Sequence, residues 1–356
     1  MHRHTDGSRC KAEGLGGESS DEPGAQSGIP NSGSVGGDGC VALNHCELMH
    51  ARWEASQRSW RLELSDRHGG SNWGVRARVL VNAAGVWAER VGESCGLEQR
   101  YRHVFSKGVY LAFPRPAQLD EAMAFEMEQH GDTQTFTPWG PVALWGPTES
   151  AVKDIETGFR PDVADVRFLL SQANSNLREK RGVEDIVSLR CGIRPLAVER
   201  SFARDVYPLD LSRRHVVARD RKVAALTIFG GKLTSAPMIA REVSRRVGEY
   251  MLPRGLPPTS HNGAALATIR FPGIDVALPS PRWCVEHEGC VTLEDYLRRR
   301  TNIAQWVPRL GLGIDDRNLR EIVAIAEHIC APAQAAEAVA NWRREADRQD
   351  QLLASV

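Results

Sequence analysis

The chain has 356 residues, and its 45 Lys and Arg balance 45 Asp and Glu. That length allows about two domains with real cores, and zero net charge excludes a protein held to nucleic acid by bulk electrostatics. No apolar run reaches the roughly 18 residues of a membrane-spanning helix, which leaves contact with a membrane surface open. Residues 1–8 lack the apolar stretch of a secretory signal. The eight cysteines are scattered without a CxxC pair, so reduced thiols and a cytoplasmic location are expected. Cys284, His287 and Cys290 have ligand-like spacing, but on a helix these positions drift around the surface and no fourth ligand is near. A plain helix face is the expected reading.

In chain order, residues 1–39 are rich in Gly and Ser, lack a period, and are expected to be disordered. Strands are predicted over 40–43 and 60–64, with a turn over 67–72. Residues 77–85 read as a short apolar strand ending in small residues, and 86–93 as a helix. The region 101–228 is predicted to be strand-rich, with strands at 108–113, 141–146 and 222–229 and one helix over 162–177. An amphipathic helix is expected over 238–247. Residues 251–282 carry six prolines and read as a linker, and 283–350 as a helical domain. Thr292-Leu-Glu-Asp opens one of its helices as a capping box with Asp in place of Glu.

Four segments carry candidate chemistry. In Asn82-Ala83-Ala84-Gly85 a strand ends in small residues, where a backbone can approach a flat or phosphorylated ligand; a plain strand–turn–helix explains it equally. In Phe229-Gly230-Gly231-Lys232-Leu233-Thr234 two glycines between strand and helix expose N–H groups at a positive helix end, with Lys232 and Thr234 beside them. The alternative is a tight turn with a solvated lysine. Arg194 sits between Ile193 and Pro195 on a stiff segment and suits bidentate capture of phosphate or carboxylate, or a structural ion pair. Thr148 and Glu149 end a strand bracketed by Gly-Pro units, facing a cleft or solvent.

Taken in order, these segments resemble the FAD-dependent glycerol-3-phosphate dehydrogenase family of the D-amino-acid-oxidase-like flavoproteins. Asn82-Ala-Ala-Gly-Val-Trp87 is similar to its Asn-Ala-(Thr/Ala)-Gly-Pro-Trp. Ser106-Lys-Gly-Val-Tyr110 resembles its Val-Lys-Gly-Ser-His strand, and Thr137-Pro-Trp139 with Trp145-Gly-Pro-Thr-Glu149 its Pro-Trp…Gly-Thr-Thr-Asp hairpin. Gly192-Ile-Arg-Pro-Leu196 and Phe229-Gly-Gly-Lys-Leu-Thr234 match two further motifs. Val285-Glu-His-Glu and Thr292-Leu-Glu-Asp-Tyr-Leu-Arg-Arg-Arg-Thr301 are similar to the C-terminal helical domain. The resemblance covers about residues 40–345.

The fold so implied is α/β: an incomplete FAD-binding, Rossmann-like domain with a mixed-sheet substrate domain and a C-terminal helical domain. Residues 40–250 hold the first two, and a linker leads to 283–350. The implied activity, part of glycerol and glycerophospholipid metabolism, is oxidation of sn-glycerol 3-phosphate to dihydroxyacetone phosphate, with hydride passing from substrate C2 to flavin N5. Electrons leave to a quinone or to oxygen. Alternatives are a related flavin oxidoreductase on a small hydroxy or amino acid, or an inactive remnant or scaffold. The resemblance assigns FAD contacts to Asn82, Ala83, Ala84, Gly85, Trp87, Gly230, Gly231, Lys232, Leu233 and Thr234. It gives Arg194 and Lys232 catalytic roles and Arg194, Thr148 and Lys232 to the substrate.

The chain departs from the family in having no GxGxxG anywhere. The family's first βαβ unit uses that motif to hold the FAD pyrophosphate. The sequence therefore reads as the back two-thirds of such an enzyme, truncated, begun at a misassigned start, or completed by another chain or a second copy. An exposed apolar sheet edge is expected, as is peripheral contact with the inner face of a membrane.

Overall fold

The structure, a computed structural model, describes residues 34–36, 40–127, 133–156, 158–202, 208–251 and 265–356. The expected disorder of 1–39 falls almost wholly outside these residues; Ser34–Gly36 (β1) pairs with Cys40–Ala42 (β2).

Alternating burial along Cys46–Glu54 (β3), Ser59–Asp66 (β4) and Asn72–Ala77 (β5) folds them into an antiparallel meander. Its inner face carries Trp60 and Leu62, packed with Leu97 and Ala225. The apolar run after it is divided. Ala77 closes β5, and Leu80–Asn82 (β6) begins a new strand. A short 3-10 turn, Gly85–Trp87, then leads into Ala88–Ser94 (α1).

Tyr101–Pro114 (β7) is the spine of a six-stranded sheet with Met123–Glu126 (β8), Thr133–Trp139 (β9), Val142–Gly146 (β10), Ser150–Val152 (β11) and Ser188–Glu199 (β12). Every pairing in it is antiparallel. The mixed pairing expected here occurs instead in a three-stranded sheet, where Val216–Arg219 (β13) runs antiparallel and β6 parallel to Ala225–Phe229 (β14). In the six-stranded sheet only β8–β9 and β9–β10 join consecutive strands; β10, β11 and β12 all return to β7 antiparallel, whereas the parallel β6–β14 pairing closes across the whole substrate region.

Val163–Asn176 (α2) starts where the sequence predicts, because Asp162 and Asp165 form a reciprocal capping box. Its apolar face, Val166, Leu169, Leu170 and Ala173, packs on Val109, Leu111, Phe113 and Trp145. The Trp145 indole donates to Leu169 O at 3.0 Å. Lys107 Nζ reaches Asp162 Oδ2 at 2.8 Å and Asp165 Oδ2 at 2.5 Å. Burial opposes the lysine charge, but the bonds to Asp162 and Asp165 raise its pKa on balance.

After Ala236–Val247 (α3), the expected linker proves partly structured. Thr268–Phe271 (β15) and Ile274–Pro279 (β16) form a hairpin. Phe271, Ile274 and Leu278 belong to the core of the helical domain, so three buried apolar side chains outweigh the prolines. Pro281–Glu288 (α4), Ile303–Trp306 (α5), Leu319–Ile329 (α6) and Pro332–Ala354 (α7) complete that domain. The Thr292 capping box is present, with Asp295 N–H donating to Thr292 Oγ1 and Thr292 N–H to Asp295 Oδ2, both at 3.0 Å. The turn it opens, Asp295–Arg300, is π-helical. Cys284 and Cys290 are buried in this apolar core, which pushes their thiols up to about 11 and about 12. No described helix is long and apolar enough to cross a membrane.

Candidate active site

The register of β12 on β7 sets Arg194 opposite Ser106 and Gly192 opposite Gly108. The Arg194 guanidinium lies directly against Gly108. A methyl group there would sit 2.2 Å from Nη2 and 2.4 Å from Nη1, so only glycine leaves the arginine its place. Arg194 Nη1 is 3.3 Å from Glu149 Oε2 and 3.4 Å from Ser106 Oγ. The Ser106 hydroxyl donates to Glu149 Oε1, and Arg213 Nη2 lies 3.5 Å from Oε2. The Glu149 side chain is only 3% exposed. A buried carboxylate thus orients Arg194 while leaving guanidinium donors for an anionic ligand. Thr148 is buried beside it: its hydroxyl accepts from Val109 N–H at 2.9 Å, and its own N–H donates to Val109 O at 3.0 Å.

The parallel pairing of β6 and β14 aligns Asn82 with Thr227, so the Asn-Ala-Ala-Gly and Gly-Gly-Lys turns leave the same end of the small sheet. Asn82 is buried and braces its turn, donating to Ala88 O at 2.8 Å and accepting from Ala84 N–H at 3.2 Å. Gly85, Gly230 and Gly231 have φ of 58°, 64° and 92°, a region in which a side chain is strained. Gly230 N–H donates to His103 Nε2 at 3.3 Å. Burial pushes the His103 imidazole from 6.5 down to about 4, so it is neutral at pH 7 with Nε2 as acceptor.

A Cβ on Gly230 would lie 3.1 Å from the Ala197 methyl. The Gly-Gly turn therefore abuts β12 three residues from Arg194, roughly 10 Å along the strand. Lys232 and Thr234 are exposed, as is Ala83, with Ala84 half-buried. Trp87 is 54% and Leu233 92% exposed. Ser235 caps the turn, accepting from Lys232 N–H at 3.1 Å and donating to Lys232 O at 2.7 Å. Arg194 and Lys232 share no hydrogen bond or ion pair with each other; what joins their neighbourhoods is the Gly230–Ala197 contact.

A family model described as FAD dependent oxidoreductase matches residues 37–246. The chain belongs to that family. FAD is the cofactor of this oxidoreductase family, and the two aligned glycine turns lie inside the matched region. Glycerol-3-phosphate dehydrogenase 1 of Mycobacterium tuberculosis is 26% identical over 311 residues, covering 75% of this chain and 57% of the relative. The aerobic glycerol-3-phosphate dehydrogenase of Escherichia coli is 26% identical over 198 residues, covering 54% and 38%. This oxidoreductase chain thus spans about half the length, or less, of the curated relatives it matches. Among solved structures, the glycerol-3-phosphate dehydrogenase from Bacillus halodurans complexed with FAD aligns with a TM-score of 0.50 at 24% identity, covering 59% of this chain and 40% of that one. This likeness shows the fold.

Two residues of the site have no clear mark in the sequence. Arg213 is one arginine among many, and His103 lies four residues before Lys107 in an ordinary strand pattern, whereas Ser106 and Gly108 sit in the Ser106–Tyr110 motif without a role read for either. The available signal was the pair Gly108 and Gly192 on neighbouring strands: two missing side chains on one sheet face leave a trough for the arginine two residues on.

Proposed function

We propose that this chain forms the substrate-facing part of an enzyme that oxidises sn-glycerol 3-phosphate to dihydroxyacetone phosphate. The observation that carries this reading is Arg194, laid on Gly108 and held by buried Glu149 next to the Gly-Gly-Lys turn. Arg194 binds the substrate phosphate or orients the reacting hydroxyl through its free N–H edge. Lys232 and the N–H groups of the turn present positive charge to the flavin's pyrimidine edge. FAD, when bound, takes up the hydride removed from the substrate, and a quinone or another acceptor removes the electrons. Asn82, Ala83, Ala84, Gly85, Trp87, Leu233 and Thr234 form one wall for the ring system. The positive-φ glycines and the exposed apolar surface of Leu233 and Trp87 fit a flat ligand there.

The reading includes a second wall. The edge of β6 away from β14 has no partner among the described strands, and it is suited to a parallel strand from a dinucleotide-binding βαβ unit. The test is anaerobic mixing of the chain, with and without such a unit, with FAD and sn-glycerol 3-phosphate. The expected result is retained flavin whose visible band bleaches with glycerol 3-phosphate and not with glycerol, and a bleaching rate sharply lower in Arg194→Gln. Retained flavin that glycerol 3-phosphate leaves oxidised overturns the substrate assignment, and no retention under either condition overturns the cradle.

A further inference from the structure

A second concave region lies away from the glycine turns. β12 pairs only with β7 among the described strands. Its free edge at Leu189–Cys191 borders a cleft of about 780 Å³ whose opposite wall is α7. That volume is in the range of small-molecule sites. Four arginines from four different segments line it: Arg160 before α2, Arg190 on β12, Arg298 on the π-helical turn and Arg348 on α7.

Three of these have an aromatic ring beside the guanidinium carbon. Arg190 lies 4.8 Å from the centroid of Trp139, Arg298 5.0 Å from that of Trp342, and Arg160 5.3 Å from that of Phe159. A cation–π contact attracts the charge without spending the guanidinium's N–H donors in hydrogen bonds. The carboxylates lining the cleft do not take up those donors. Glu345 is held by Arg348 at 2.9 Å. Glu294 comes no nearer than 3.7 Å to Arg298, beyond hydrogen-bond reach, and is 3.5 Å from Arg299. Neither Arg160 nor Arg190 has an ion pair among the described residues. Burial pulls Arg298 below the ordinary arginine value despite the charges of Glu294 and Glu345. A cation removed from water with its donors unfilled is stabilised by an incoming anion.

We infer that this cleft binds a small phosphate ester through Arg160, Arg190 and Arg298. Guanidiniums arriving from three separate segments match the oxygens of a tetrahedral phosphate, or of two linked phosphates, better than the two coplanar oxygens of one carboxylate. The site is distinct from that of Arg194. Arg190 shares the β12 face with Arg194 but stands four residues away, about 13 Å along the strand. The ligand's phosphate comes either from a soluble metabolite or from a phospholipid head group, and the chemistry is the same.

The test needs no flavin. Inorganic pyrophosphate is titrated into the chain by calorimetry, with Trp fluorescence as a second readout because Trp342 lies under Arg298. Saturable binding that weakens with salt is expected, and the Arg160→Gln/Arg190→Gln double variant should bind roughly 10-fold or more weakly. Both substituted side chains are exposed, so the variant keeps its thermal transition. Arg52→Gln on β3, far along the chain from the cleft, should leave binding unchanged. A parallel arm floats the protein with phosphatidylglycerol and phosphatidylcholine vesicles. Arginine-dependent capture by the anionic vesicles assigns a lipid source, and pyrophosphate binding without capture assigns a soluble one. Absence of saturable binding in both arms, or equal affinity in the double variant and the parent, overturns the inference.

Discussion

Gly108 shows how much of the site depends on an absent atom. The Arg194 guanidinium occupies the space a Cβ would need, so Gly108→Ala should swing the arginine off Glu149 while strand pairing persists. We expect the transition temperature to move little and kcat/KM for glycerol 3-phosphate to fall by roughly 10- to 100-fold, checked by steady-state kinetics beside a thermal melt. His103 gives a pH signature. Its folded pKa of about 4 lies below the ordinary 6.5, so the fold favours the neutral ring. The associated stability is complete above about pH 6.5 and is lost as pH falls through about 4, roughly 3 kcal/mol in total. Thermal melts between pH 7 and pH 4 should show this slope in the parent and a shallower one in His103→Gln. The motif glycines and Arg194 were legible because unusual residue types mark unusual backbone or chemistry. Glu149 was visible as a strand-end acid at the close of a motif, but its burial and its arginine partners, Arg194 on β12 and Arg213 in the loop before β13, come from segments far apart in sequence.

At the scale of elements, α2 was readable from spacing, because apolar periodicity is a local signal; its Asp162/Asp165 cap comes from the structure. The β15–β16 hairpin was not, because its three buried side chains have meaning only once the helical core exists to receive them. The split of the 77–85 run into the end of β5 and the start of β6 was likewise hidden, since both halves are apolar for different reasons: one faces the meander core, the other joins β14. Lys107 ties α2 to the sheet, and Asp165, 5% exposed, depends on it. Lys107→Met should therefore cost about 3 kcal/mol by leaving that carboxylate buried without its cation. Asp165→Asn added to it should recover part of the loss, measured by denaturant melts.

For the whole molecule, the exposed end of the small sheet dominates behaviour in solution. Leu233, Trp87, Met238 and Val81 are all exposed at or beside it, and β6 offers an unpaired edge. The chain by itself should self-associate with rising concentration. Leu233→Glu with Met238→Glu should lower light scattering without lowering the transition temperature, because neither side chain is buried to begin with. Added βαβ unit should suppress scattering in the parent by covering the same surface.

The last helix has a mechanical consequence. α7 runs 23 residues, roughly 35 Å at helical rise. Its first two-thirds, with Ala335, Val339, Trp342 and Ala346, is set in the helical core. Its far end, with Leu352, Leu353 and Val356, packs on the core beneath the substrate sheet, and Arg167 donates to the carbonyls of Ser355 and Val356 at 3.1 Å. Held at both ends, the helix fixes in place the wall it gives to the arginine-lined cleft. Trimming residues 352–356 should free one end of that wall and weaken pyrophosphate binding, read by the same calorimetric titration.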